Sequence, residues 1–144
     1  MNYETLGKHI LYEFTITPKH IGYKYILFGL GRIHADKSCI EHITKSLYLD
    51  IARKYNTSSM NVERDIRATI EIIWRDNAEK TPLLVDIFGE KYKSRRPANT
   101  KFFELLYAYI ESYDSSTTKC PFFGCDHCVV SNVEEPVSDK KENY

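Results

Sequence analysis

The chain has 144 residues, 42% hydrophobic and 13% aromatic, which suits one folded domain with a true core plus tails. Its 20 basic and 20 acidic residues cancel, but three of the former and seven of the latter lie from Glu111 onward, so the preceding part is modestly basic, 17 against 13; this permits a nucleic-acid partner without demanding one. A membrane span is excluded by the shortness of the longest apolar run, Tyr25 to Leu30, and a secretory signal by the early Glu4, Lys8 and His9, so the four cysteines are expected as reduced thiols of a cytoplasmic protein.

Residues 3–13 read as a short first helix with Leu6 and Ile10 facing inward. Thr17 and Pro18 form a cap and first-turn pair, and the helix predicted after them carries Ile21, Tyr25, Leu27, Phe28 and Leu30 before fading near Ile33. Gly22, Gly29 and Gly31 weaken it, each by about 1 kcal/mol against alanine, or else admit a close neighbour. His20 and His34, near its ends, are expected to be structural. Asp36 to Ser38 then caps a predicted helix through Cys39, Ile40, Ile43 and Leu47, with a break expected at Tyr48 to Asp50.

Ile51, Ala52 and Tyr55 make another short apolar stripe, and Asn56 is placed as a left-handed corner. Thr57, Ser58 and Ser59 crowd the next helix start with capping side chains. From Ser59 to Asp76, the residues Val62, Ile66, Thr69, Ile70 and Ile73 recur at helical spacing. The opposite face holds Arg64, Arg67, Ala68 and Glu71, with Asn61 and Glu63 beside them. About 18 residues give a rod of roughly 27 Å, long enough to cross a major groove. This is the layout of a helix-turn-helix. It is also that of any helical hairpin with a charged outer face, in which Glu63 and Arg67 are an ordinary i, i+4 ion pair.

Thr81 and Pro82 open a short helix through Leu83, Leu84, Ile87 and Phe88, which Gly89 stops. The following loop carries Lys91, Lys93, Arg95 and Arg96; it is either a solvated loop or a clamp on DNA phosphates. Asn99 or Thr100 caps a final helix rich in apolar residues. Phe102, Phe103, Leu106, Tyr107, Tyr109, Ile110 and the following Tyr113 exceed one buried stripe, so this helix either closes the core or pairs two copies. No strand-period segment or repeat occurs. The fold expected is all-α, a compact bundle of about six helices containing a helix-turn-helix with a long recognition helix.

Residues 1–113 are assigned to this domain and 114–144 to an acidic, flexible tail. Cys120, Cys125 and Cys128 in the tail, with His127, are candidate ligands for zinc or an iron–sulfur cluster. Adjacent His127 and Cys128 are poorly placed to bind one ion together, so no cofactor is expected. There is no Gly-rich phosphate loop, nucleophile elbow or paired-carboxylate motif, and no enzyme is expected.

The string LYLDIARKYNTSSMNVERDIRATIEIIW resembles the DNA-binding effector domain of the stage-zero sporulation protein A family. Ile51, Ala52, Lys54, Tyr55, Asn56 and Thr57 match its first helix and turn; Val62, Glu63, Arg64, Ile66, Arg67, Ile70, Glu71 and Trp74 match its second helix. Flanking matches extend the resemblance from about Leu6 to Ser112. It implies that Glu63, Arg64 and Arg67 contact bases in a short box of the TGTCGAA type. Ser59, Asn61, Lys91, Lys93, Arg95 and Arg96 are then the candidates for backbone contacts. The sequence departs from the pattern with Asn61 for arginine, Asp65 for alanine, Ala68 for histidine and Leu49 for proline. Weaker binding or a shifted target is expected from a helix that loses basic character. The receiver that accompanies the family's namesake has no room in this chain.

Two functions follow. One is a sequence-specific regulator binding double-stranded DNA, as a homodimer or as tandem copies on adjacent sites. The other is a protein-interaction module that modulates a full-length regulator without touching DNA. Arg64, Arg67 and the 91–96 loop favour the first; zero net charge, Asp65 and the acidic tail favour the second.

Overall fold

Asn56 is the pivot of the chain: at φ 55° and ψ 54° it adopts the left-handed conformation expected of it and turns one helix into the next. The computed structural model describes residues 3–78 and 81–114. Among them are six α-helices and no strand: α1 (Tyr3–Glu13), α2 (Ile21–Ala35), α3 (Leu47–Tyr55), α4 (Ser59–Asn77), α5 (Pro82–Phe88) and α6 (Asn99–Asp114). Short 3-10 turns stand at Lys37–Ile40 and Glu90–Tyr92. The architecture is the all-α bundle predicted, and none of its described helices is long and apolar enough to cross a membrane. The candidate metal ligands Cys120, Cys125 and Cys128 lie outside the described residues.

Helix α2 is central. It packs against α1, α3, α4 and α6, and its Tyr25, Ile26, Leu30 and Ile33 join one core with Leu6 and Ile10 of α1 and Ile66, Ile70 and Ile73 of α4. The start of α2 differs from expectation. Pro18 and Thr17 build a closed turn instead of the first helical turn: the His20 N–H donates to the Thr17 carbonyl at 2.9 Å, and the Thr17 N–H donates to His20 Nδ1 at 3.2 Å. His20 is extended, and the helix begins only at Ile21. At the other end His34 Nδ1 bonds the Tyr107 hydroxyl at 2.9 Å and the ring stacks on Tyr3.

The helix predicted through Cys39 to Leu47 is also corrected. Asp36 does cap, accepting from the Ser38 N–H at 3.0 Å, but the regular turns stop at Ile40 and resume at Leu47. The cause is angular. On one continuous helix Cys39 would stand about 180° from Tyr48, whereas both are buried in the same core. An irregular 41–46 segment, with the Tyr48 N–H donating to the Ile43 carbonyl, lets both point inward. Leu49 therefore lies in the first turn of α3, where proline would also be tolerated; the break lies before it.

At the C-terminal end, Thr81 precedes Pro82 at the start of α5, and Gly89, at φ 92°, stops that helix. Helix α6 is mostly core: Phe102, Phe103, Leu106, Tyr107 and Ile110 are buried. Their abundance answers to a hydrophobic interior shared by five other helices, which leaves Tyr109 and Tyr113 as half-buried neighbours with ring centroids 5.0 Å apart.

Among the described glycines, the closest helix approach is at Gly22. A Cβ there would fall 2.0 Å from Thr69 Oγ1 and 3.0 Å from the Asp65 carbonyl oxygen, so α2 approaches α4 only because this residue has no side chain. Alanine is favoured over glycine in a helix by about 1 kcal/mol, but forcing a methyl group into packed backbone costs about 1–3 kcal/mol. Gly22→Ala is expected to lower stability by about 1–2 kcal/mol in denaturant unfolding. An unchanged or raised midpoint would show that the two helices can separate.

Candidate nucleic-acid interface

Between α3 and α4 the turn is knitted by short polar side chains. Ser58 is extended, and its Oγ accepts from the Asn61 N–H at 3.1 Å, capping α4. Asn61 Nδ2 in turn donates to Thr57 Oγ1 at 3.2 Å. Asn61 is thus partly committed to the turn, while half-buried Ser59 opens the helix at its positive end. The predicted stripe of Val62, Ile66, Thr69, Ile70 and Ile73 is buried throughout, joined by Trp74 and Asn77. Burial of that stripe orients the other face to solvent.

The solvent face carries Met60, Arg64, Arg67, Ala68 and Glu71, all exposed, with Glu63 at its edge. Arg67 Nη1 donates to Glu63 Oε2 at 2.8 Å. An exposed i, i+4 pair is worth about 0.3–0.5 kcal/mol, so it pre-positions the guanidinium without locking it. Arg64 is the freer of the two, its Nε 3.7 Å from Asp65 Oδ1. Asp65, the acid that this helix gains against the family pattern, borders the face and is ion-paired with Arg64. Its side chain is only 20% exposed, and its charge helps hold the Tyr25 phenol above its ordinary pKa, after burial, the larger cause.

Beneath the helix, Asn99 does not cap α6 as expected. It is buried, and its Nδ2 donates to the Tyr48 hydroxyl at 3.0 Å and to the Glu63 backbone carbonyl at 3.2 Å. The first bond of α6 is accepted by the Ala98 carbonyl from Phe102 instead. One amide therefore ties α3, α4 and α6 together behind the exposed face, and burial pushes the Tyr48 phenol up.

The basic loop is held to the same helix. Trp74 Nε1 donates to the Tyr92 carbonyl at 2.8 Å, and Arg96 Nη2 donates to Glu71 Oε2 at 2.9 Å. Lys91 and Arg95 both lie over the Tyr92 ring, 5.5 and 5.9 Å from its centre, and Lys93 is exposed beside them. Of the four loop cations, Arg96 is ion-paired with α4, while Lys91, Lys93 and Arg95 are exposed. Helical spacing does not pair Glu71 with Arg96 or Trp74 with Tyr92, since these partners are 25 and 18 residues apart. The available signal was chemical: a buried tryptophan has one N–H that needs an acceptor.

Trp74→Phe keeps a ring against Phe88 and Phe102 but deletes that donor. Stability is expected to fall by about 1 kcal/mol, with faster amide exchange concentrated in residues 90–96. Uniform exchange across the domain, or none, would mean that Trp74 does not anchor the loop.

Residues 8–110 match the family model described as sporulation initiation factor Spo0A C terminal, most of the chain and nearly all of its described core. The match takes in the whole of α2 through α5, the basic loop and most of α6. The chain belongs to the Spo0A C-terminal family of DNA-binding sporulation regulator domains.

Proposed function

We propose that this protein regulates transcription by reading DNA sequence in the major groove with the outer face of α4. The observation that carries the reading is the placement of Arg64 and Arg67 on an exposed helix whose inner face is wholly buried, beside a basic loop fastened to that same helix. Arginine can pair with guanine through two hydrogen bonds, and the carboxylate of Glu63 can accept from the amino group of cytosine. Lys91, Lys93 and Arg95 supply charge at the flank, where phosphates would run, and Ser59 and Asn61 stand at the α4 start for a further backbone contact.

The alternative, an interaction module that never meets DNA, drew part of its support from Asp65. Asp65 does offset the charge of Arg64, at 3.7 Å, but it is only 20% exposed and leaves the Arg64 side chain 59% exposed.

Arg64→Ala and Arg67→Ala should each weaken binding to a duplex selected from a randomised library by about 1–3 kcal/mol and relax base preference. Arg95→Ala should weaken all duplexes alike and reduce the salt dependence by about one unit of slope. Selected duplexes bound by Arg64→Ala as tightly and as selectively as before would refute direct readout by α4.

One recognition helix covers few base pairs, and regulators of this kind gain affinity by placing two copies about one helical turn apart. We extend the proposal to pairing on adjacent sites through the half-buried edge of α6 at Tyr109 and Tyr113, since the other aromatics of that helix are used in the core. Duplexes with two boxes should bind more tightly per box than duplexes with one, and Tyr113→Ala should remove the difference while leaving one-box binding intact. Equal affinity per box would exclude pairing.

A further inference from the structure

Met60 is the most exposed large hydrophobic side chain among the described residues, at 76%, and no intramolecular packing accounts for it. A single exposed apolar residue is ordinary on a protein surface. Two features of position set this one apart. It precedes Arg64 by one turn and Arg67 by two, about 40° and 20° away around the helix, so it continues the stripe of those arginines. It also stands in the first turn of α4, just after the Ser58 cap, and recognition helices present their N-terminal residues to base edges.

A thioether chain offers no hydrogen bond of useful strength to a base, but it is flexible, polarizable and suited to an irregular apolar contact. The apolar group that the major groove presents is the ring methyl of thymine. We infer that Met60 is a specificity-determining residue that selects a thymine by packing on its methyl group, alongside the hydrogen-bonding readout by Arg64 and Arg67. This inference rests on the proposed reading of α4 as the recognition helix. It adds a long apolar side chain, and a base preference, to a site whose other long side chains are charged.

The test uses the full chain and a duplex selected from a randomised library, with each thymine replaced in turn by deoxyuridine, which lacks only the methyl group. Binding should fall about fourfold at one thymine, the factor expected from one methyl group returned to water. Met60→Ala should lose at least as much on the all-thymine duplex and show no further loss at that deoxyuridine position, because the two changes remove one contact. Met60→Gln, of similar length but polar, should behave like Met60→Ala, and both should melt at the temperature of the unsubstituted protein, as the side chain is exposed. A flat deoxyuridine scan overturns the inference. So does a deoxyuridine effect that persists in Met60→Ala, since that effect would then come from another contact, such as Ala68, or from the DNA's own shape. In either case, continued dependence of base preference on Arg64 would leave the parent reading standing; loss of that dependence would remove both.

Discussion

Helices α2 and α4 meet where Gly22 lies against Thr69, and the geometry of the exposed face depends on that approach. Thr69 turns its hydroxyl back to the Asp65 carbonyl at 2.9 Å, satisfying itself within α4, and so presents a compact surface to the glycine. With the two axes drawn together, Ile66, Ile70 and Ile73 can reach the core that α2 shares with α1 and α6. A helix buried along one whole side has little rotational freedom. The direction in which Arg64 and Arg67 point is therefore a property of the interior, set by packing rather than by the arginines themselves.

Around this contact, single polar groups do what a larger core would do by area. Asn99 joins α6 to Tyr48 and to the Glu63 carbonyl. Asn77, also buried, donates to the Phe14 carbonyl and to the Ile73 carbonyl, both at 3.0 Å, and so closes the far end of α4 over the α1–α2 turn. Trp74 reaches the Tyr92 carbonyl between them. Each removes an otherwise unsatisfied group from an apolar setting, where leaving it unpaired costs about 1–3 kcal/mol. Helix α4 is thus gripped near its start, along its length and at its end.

Much of this was legible in the sequence where periodicity governed. The apolar stripe of α4, the corner at Asn56, the Ser58 cap and the stop at Gly89 all follow from rules that act within a few residues. The misreadings share another origin. Thr17–Pro18 and Asp36–Ser38 are proper capping signals, yet the first closes a turn onto His20 and the second opens only a 3-10 turn, because Cys39 and Tyr48 must both face one interior. Asn99 has the composition of a cap, but its partners come from α3 and α4. Tertiary demands decided each case, and no local window contains them. The exposed Met60 went unread for the complementary reason: a lone methionine has no pattern.

The division of α4 into two faces has a consequence for how such a domain can change over time. Substitutions at Met60, Arg64, Arg67, Ala68 or Glu71 leave the buried stripe untouched, because those side chains point to solvent. Surface changes of that kind usually alter stability by less than about 0.5 kcal/mol. Single replacements can therefore change the chemistry of this face, each nearly neutral to folding, while the Gly22–Thr69 contact and the anchors at Asn77, Trp74 and Asn99 hold the orientation of the helix constant. Ala68, where the family pattern has histidine, stands at an exposed position of that inexpensive kind. The outer face is free to vary here because the scaffold that aims it is not.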